Sequence, residues 1–214
     1  MLGLDGAWLA ELKSTSRDPD KAAAIVAKAL EAYVAGDHSR ATTLSEEAKA
    51  AASRSPRVRE LLGLSYYHTG QWQEATRELL TFRRMTASPS QNHVIADCYR
   101  ALGRADRAIE ICSEVQPPDV TPEVWTEVVI VAASAIADKG DLRRAIGHLA
   151  KGELEPKSVE PHHLRLWYVR SDLLEKSGRR EEAVAGWERI AAEDPEFFDI
   201  DERISDASGG ISAD

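Results

Sequence analysis

A glycine followed five residues later by an alanine recurs five times along this chain, at Gly36/Ala41, Gly70/Ala75, Gly103/Ala108, Gly140/Ala145 and Gly178/Ala183. By subtraction the glycines lie 34, 33, 37 and 38 residues apart, the spacing of a stacking unit made of two helices. Each glycine suits the left-handed conformation that ends a helix, and segments such as "GQWQEATREL" and "GDLRRAIGHL" open the next one. The alanine falls one turn inside that second helix. There two antiparallel helices cross closely, and a larger side chain would hold them apart. A second small residue stands seven before every glycine (Ala29, Gly63, Ala96, Ala133 and Ser171) and forms the other side of the contact. Leu62, Tyr66, Leu79 and Phe82, spaced by three or four along their helices, supply the bulk of the second unit.

These residues resemble the tetratricopeptide repeat (TPR) family, whose pattern includes a large residue, Leu-Gly, an aromatic, then Ala and a terminal Pro. The unit "ELLGLSYYHTGQWQEATRELLTFRRMTASP" carries Leu62-Gly63, Tyr66, Gly70, Ala75, Leu79 and Pro89, and the last unit carries Trp167, Ser171, Leu174, Gly178, Ala183, Trp187 and Pro195. The resemblance implies an all-α, right-handed superhelical solenoid of antiparallel helix pairs, with about ten to twelve helices. Five TPR-like repeats are expected over residues 20–195, after an N-terminal segment (1–19) in which Trp8, Leu9 and Leu12 form a capping helix. Residues 196–214 read as an acidic C-terminal tail, partly disordered toward its Gly/Ser-rich end. Arg59 and Asn92 stand where the family prefers large apolar residues, and Ser45 replaces second-helix bulk. Proline-bearing connections, "EVQPPDVTPE" and "GELEPKSVEPHH", stretch the later units. The helix from about Thr121 to Asp138 is apolar nearly all round, which implies burial on more than one side.

The net charge of −9 sets the chain against nucleic-acid and anionic-membrane partners, which need clustered Lys and Arg. No secretory signal is expected from "MLGLDGAWLAELK", and the apolar run "VVIVAASAIA" reaches about half of the roughly 20 residues of a membrane span. A cytoplasmic location follows as an expectation. Alanine-rich, arginine-heavy usage suggests a bacterial source. Cys98 and Cys112 lack partners at zinc-ligand spacing, so they read as buried thiols.

The sequence contains no phosphate-cradling glycine loop, nucleophile elbow or paired-histidine metal helix. No catalytic residues, metal or cofactor are therefore expected. His162 and His163 read as an exposed helix start, and Trp72 as an aromatic packed between helices.

In a stack of this kind the first helices line a concave surface. With Leu62, Gly63 and Tyr66 turned inward, the opposite stripe of that helix is Arg57, Glu60, Leu64, Tyr67 and His68. The same register gives His93, Asp97 and Arg100 in the third unit, and Arg165, Tyr168 and Asp172 in the fifth. Aromatic rings, histidine and both charge signs suit a peptide of mixed charge. The carboxylate clamp of some TPR domains is not expected, because Glu60 and Asp97 would repel an acidic tail. The first reading is a protein- or peptide-binding adaptor. A homodimeric structural module is the alternative, and an enzyme using His68, His93 and Asp97 ranks below it. A further expectation is that the acidic tail folds back onto Arg57, Arg100 or Arg165.

Overall fold

Five of the chain's turns have the same construction. Gly36, Gly70, Gly103, Gly140 and Gly178 adopt φ between 70° and 87°. The residue after each glycine donates its N–H to the carbonyl five positions back, as in Gln71 to Tyr66 at 2.9 Å and Arg104 to Tyr99 at 2.8 Å. The glycine's own N–H bonds the carbonyl three back, as in Gly70 to Tyr67 at 3.1 Å. This paired closure satisfies carbonyls that a helix end otherwise leaves open.

The computed structural model describes residues 4–209, and among these residues all regular structure is helical. The helices are α1 (Gly6–Thr15), α2 (Pro19–Val34), α3 (His38–Ala51), α4 (Pro56–His68), α5 (Trp72–Thr86), α6 (Asn92–Ala101), α7 (Ala105–Ser113), α8 (Pro122–Asp138), α9 (Leu142–Leu149), α10 (Pro161–Lys176), α11 (Arg180–Glu193) and α12 (Ile200–Gly209). None is long and apolar enough to cross a membrane. Two compact units part between Arg104 and Ala105.

In the first unit α2 packs on α3 and α4 on α5, and α3 and α4 join the two pairs. Side chains fix where these helices begin: Asp18, Asp37 and Ser55 accept the N–H of Lys21, Arg40 and Val58, each at 3.1 Å. Caps of this type contribute about 1 kcal/mol each. α1 covers the first pair through Leu12, which is fully buried with Val26, Ala48 and Val58. Leu9 departs from its expected capping role. It is 41% exposed, because a single stripe of so short a helix faces α2.

In the second unit α8 packs on α7 and α9, α10 contacts α8, α9 and α11, and α12 packs on α11. α8 buries nine side chains from Thr126 to Ile136, as its all-round apolarity implies. Tail residues 200–209 form α12, whose Ile200 joins the core of Leu174, Trp187 and Ile190. Residues 210–214 lie outside the described residues.

The small residues of the repeat pattern are buried. Ala41, Ala75, Ala108, Ala145 and Ala183 are fully buried, as are Ala29, Ala96 and Ala133. A Cβ on Gly63 would stand 2.6 Å from Cγ of the fully buried Leu79. On Gly147 it would meet nothing within 4 Å. Gly63→Ala is expected to destabilise by about 1–3 kcal/mol through overpacking, despite its better helix propensity. Gly147→Ala should instead stabilise by roughly 0.5–1 kcal/mol. Urea midpoints of the two variants against wild type check both signs.

Candidate functional site

One departure from the apolar pattern, Arg59, is tied into a polar seam between α3, α4 and α5. Glu78, only 2% exposed, accepts from Arg59 at 2.6 Å and Lys49 at 3.1 Å. Burial pushes its carboxyl up, but those two cations more than offset this and hold it below the ordinary carboxylate range. Glu46 accepts from the Tyr66 hydroxyl alongside. Asn92 and Ser45 are buried as well. Sequence reading did not find Glu78, although Arg59 at an apolar position was its signal.

On the face of the first unit singled out from the sequence, α2, α4 and α6 present Tyr33, Tyr67 and Asp97. The Tyr67 hydroxyl donates to Asp97 Oδ2 at 2.7 Å, and Arg100 Nη1 donates to Asp97 Oδ1 at 2.7 Å. Both carboxylate oxygens are thereby engaged. Glu60 accepts from Gln91 at 2.8 Å. Its pKa is raised because partial burial outweighs that bond and the nearby Arg57. Leu64 and His93 are half-buried on the same helices.

Arg57 belongs to a different arrangement. Its backbone N–H donates to Glu11 Oε1 at 3.1 Å, and its guanidinium stands 3.5 Å from Asp5 and 5.5 Å from the centre of the Trp8 ring. The positive charge expected at the edge of the groove is thus largely answered by α1.

His68 sits in an aromatic cluster that sequence reading only half found. Its Nε2 lies 3.0 Å from the Tyr33 hydroxyl, its ring stacks on His38 with centroids 4.2 Å apart, and Tyr67 meets it edge-on. Partial burial, followed by the proximity of His38, lowers the His68 pKa. Burial, then the charge of Glu60, raises that of Tyr33. Tyr33 stands 34 residues before Tyr67 by subtraction, so the repeat period itself contained the missed signal. Trp72 packs edge-on against Tyr67 at 5.5 Å, as expected.

In the second unit Arg165 forms a two-pronged pair with Glu127, at 2.5 and 3.0 Å. The Tyr168 hydroxyl donates to Asp199 Oδ1 at 2.6 Å. Arg203 reaches Asp199 at 3.0 Å, Glu175 at 3.4 Å and Asp172 at 3.7 Å, and Lys176 bonds Asp172 at 2.6 Å. Phe197 and Phe198 pack edge-on against Tyr168. Within the described residues the tail meets α10 through Tyr168, while Arg165, one of the arginines in the fold-back expectation, pairs with Glu127.

His163 also corrects an expectation. It is 3% exposed, because its Nδ1 accepts the Glu160 N–H at 2.9 Å and so draws the ring back over the helix start. Among the described residues no group of three or more His, Cys, Asp or Glu is placed to hold a metal ion. Burial pushes the Cys98 thiol up to about 12, leaving it protonated and inert.

No family model and no curated protein matches the chain. Its fold is shared with solved TPR proteins. A thermophilic TPR protein of Thermus thermophilus superimposes with a TM-score of 0.67 at 18% identity, over 84% of this chain and 94% of that one. A tetratricopeptide repeat protein from Parabacteroides merdae gives 0.62 at 18% identity, over 88% and 72%. YrrB, a TPR protein with an unusual peptide-binding site, gives 0.51 at 16% identity, over 78% and 83%. The chain is an all-α stack of helix pairs with the TPR fold.

Proposed function

We propose that this protein binds a peptide segment of a partner protein along the face bearing Tyr33, Glu60, Leu64, Tyr67, His68 and Asp97, and so serves as an adaptor or scaffold. The observation that carries this reading is the fixed geometry of that face: Asp97 is held from two sides, and His68 is held by Tyr33 and His38. Groups already held in place lose little conformational freedom when a ligand arrives. The mixed charge favours a ligand with both acidic and basic residues, and YrrB offers a precedent for peptide binding on this fold. Fold alone does not assign the role.

An enzyme using His68, His93 and Asp97 is less well supported, since Asp97 has both oxygens engaged and the hydroxyl beside His68 is that of Tyr33, whose pKa burial raises. Self-association is the remaining alternative. The large exposed apolar residues Leu9, Val34, Met85 and Phe198 lie on α1, α2, α5 and the segment after α11.

A peptide array of mixed-charge sequences, probed with wild type and with a Tyr33→Ala/His68→Ala variant of unchanged helicity, tests the proposal. The expected result is a set of peptides whose binding falls tenfold or more in the variant. Equal binding by both proteins would place the interaction elsewhere.

A further inference from the structure

Between α7, α8 and α9 of the second unit lies a recess of about 310 Å³, at the small end of the range of roughly 300–1,000 Å³ typical of ligand pockets. Its floor is apolar, formed by Ile109 of α7 and by Val128, Val129, Ala132 and Ile136 of α8. The four α8 residues are each no more than 2% exposed, so the apolar surface open to a ligand belongs to the half-buried Ile109 and Trp125. Trp125 stands at one side, and its indole N–H donates to the Lys151 carbonyl at 3.1 Å, which fixes the ring.

Arg144, His148 and Lys151 line another edge of the recess. Spaced by four and then three residues, they share one side of α9 and its continuation. None of the thirteen residues lining the recess is acidic. Elsewhere in this unit Lys139, Arg165, Arg179, Arg189 and Arg203 each have a carboxylate partner. Arg144, His148 and Lys151 have none among the described residues. Two cations without a carboxylate partner, Arg144 and Lys151, beside an apolar recess suit a ligand that is apolar at one end and anionic at the other.

We propose that this recess binds a small amphiphilic carboxylate, its unbranched apolar body lying against Ile109 and Trp125 and its carboxylate held by Arg144, His148 and Lys151. The site is independent of the peptide-binding face, because it shares no residue with it. Partial burial, then the charges of Lys151 and Arg144, depress the His148 pKa. From α7 and α8 no ionised side chain lining the recess faces that imidazole. A bound carboxylate would therefore raise its pKa, and binding would take up a proton.

Calorimetry on the full chain with octanoate, 1-octanol and acetate, together with an Arg144→Gln/Lys151→Gln variant, tests the proposal. Both substituted side chains are exposed, so the variant should keep the wild-type helicity. Octanoate is expected to bind at least tenfold more tightly than either 1-octanol or acetate. Hexanoate should bind more weakly than octanoate. The variant should lose about tenfold in octanoate affinity and leave 1-octanol unchanged, and the wild-type His148 resonance should titrate at higher pH with octanoate present. Equal affinity for octanoate and 1-octanol, or unchanged octanoate binding by the variant, overturns the proposal. Binding of a peptide with adjacent leucine and aspartate, but not of octanoate, also overturns it, and makes the recess a protein-docking site.

Discussion

Replacing Trp187 by alanine is expected to remove about 3–5 kcal/mol of stability from the second unit. The ring is fully buried against Leu164, Trp167, Leu174, Ala183, Ile190 and Ile200, so it touches side chains from α10, α11 and α12 at once. No smaller residue fills that space, and the cavity adds to the lost burial. Stability in stacked repeats is a sum of neighbouring contacts, so the damage should be local. Hydrogen exchange should quicken throughout α10–α12 while amides of α2–α5 keep their protection. Trp187→Phe should cost far less, because the indole N–H has no partner among the described residues and its loss breaks none of their bonds. Uniform loss of protection along the whole chain would show that the contacts behave as one cooperative block.

Glu78→Ala is expected to cost about 3 kcal/mol at neutral pH, near the lower end for breaking a buried ion pair. The lower end applies because the Lys49 and Arg59 side chains, 28% and 20% exposed, regain some hydration when the carboxylate is gone. The pH dependence carries a definite sign. The folded-state pKa lies below the ordinary 4.5, so the contribution is complete above that value and fades as pH falls through the folded pKa. Urea unfolding at pH 7 and at successive steps below pH 4.5 should show the gap between wild type and variant closing. A gap that stays constant in acid would mean that the side chain acts by its volume and not by its charge.

The turns could be read from the sequence because only glycine adopts their φ values without strain, and the notch followed because alanine has no room to be anything larger there. The burial of α8 was equally plain, since a helix without a polar side has no face to give to water. Polar burial was harder to see. Arg59 looked like a flaw in a repeat until its partner Glu78 appeared on a different helix, and pairing across helices leaves no periodic trace. His163 was hidden for a similar reason: its reciprocal cap with Glu160 depends on loop conformation as well as residue type. Of the candidate face, Tyr67, Asp97 and Arg100 are brought together in the first unit, and Tyr168 and Asp172 are held by Arg203 and Asp199 in the second. Tyr33 and His38 complete the cluster around His68, and the period pointed to Tyr33 all along.

The way the tail meets α10 bears on where this chain can be cut. Repeat similarity ends at Pro195, a natural place to trim, yet Ile200 is 1% exposed inside the last core and Arg203 links Asp172, Glu175 and Asp199. A fragment stopping at Pro195 would leave the Tyr168 hydroxyl without its acceptor and open one wall of the Trp187 pocket to water. The smallest autonomous version of this molecule is therefore longer than its own repeat pattern.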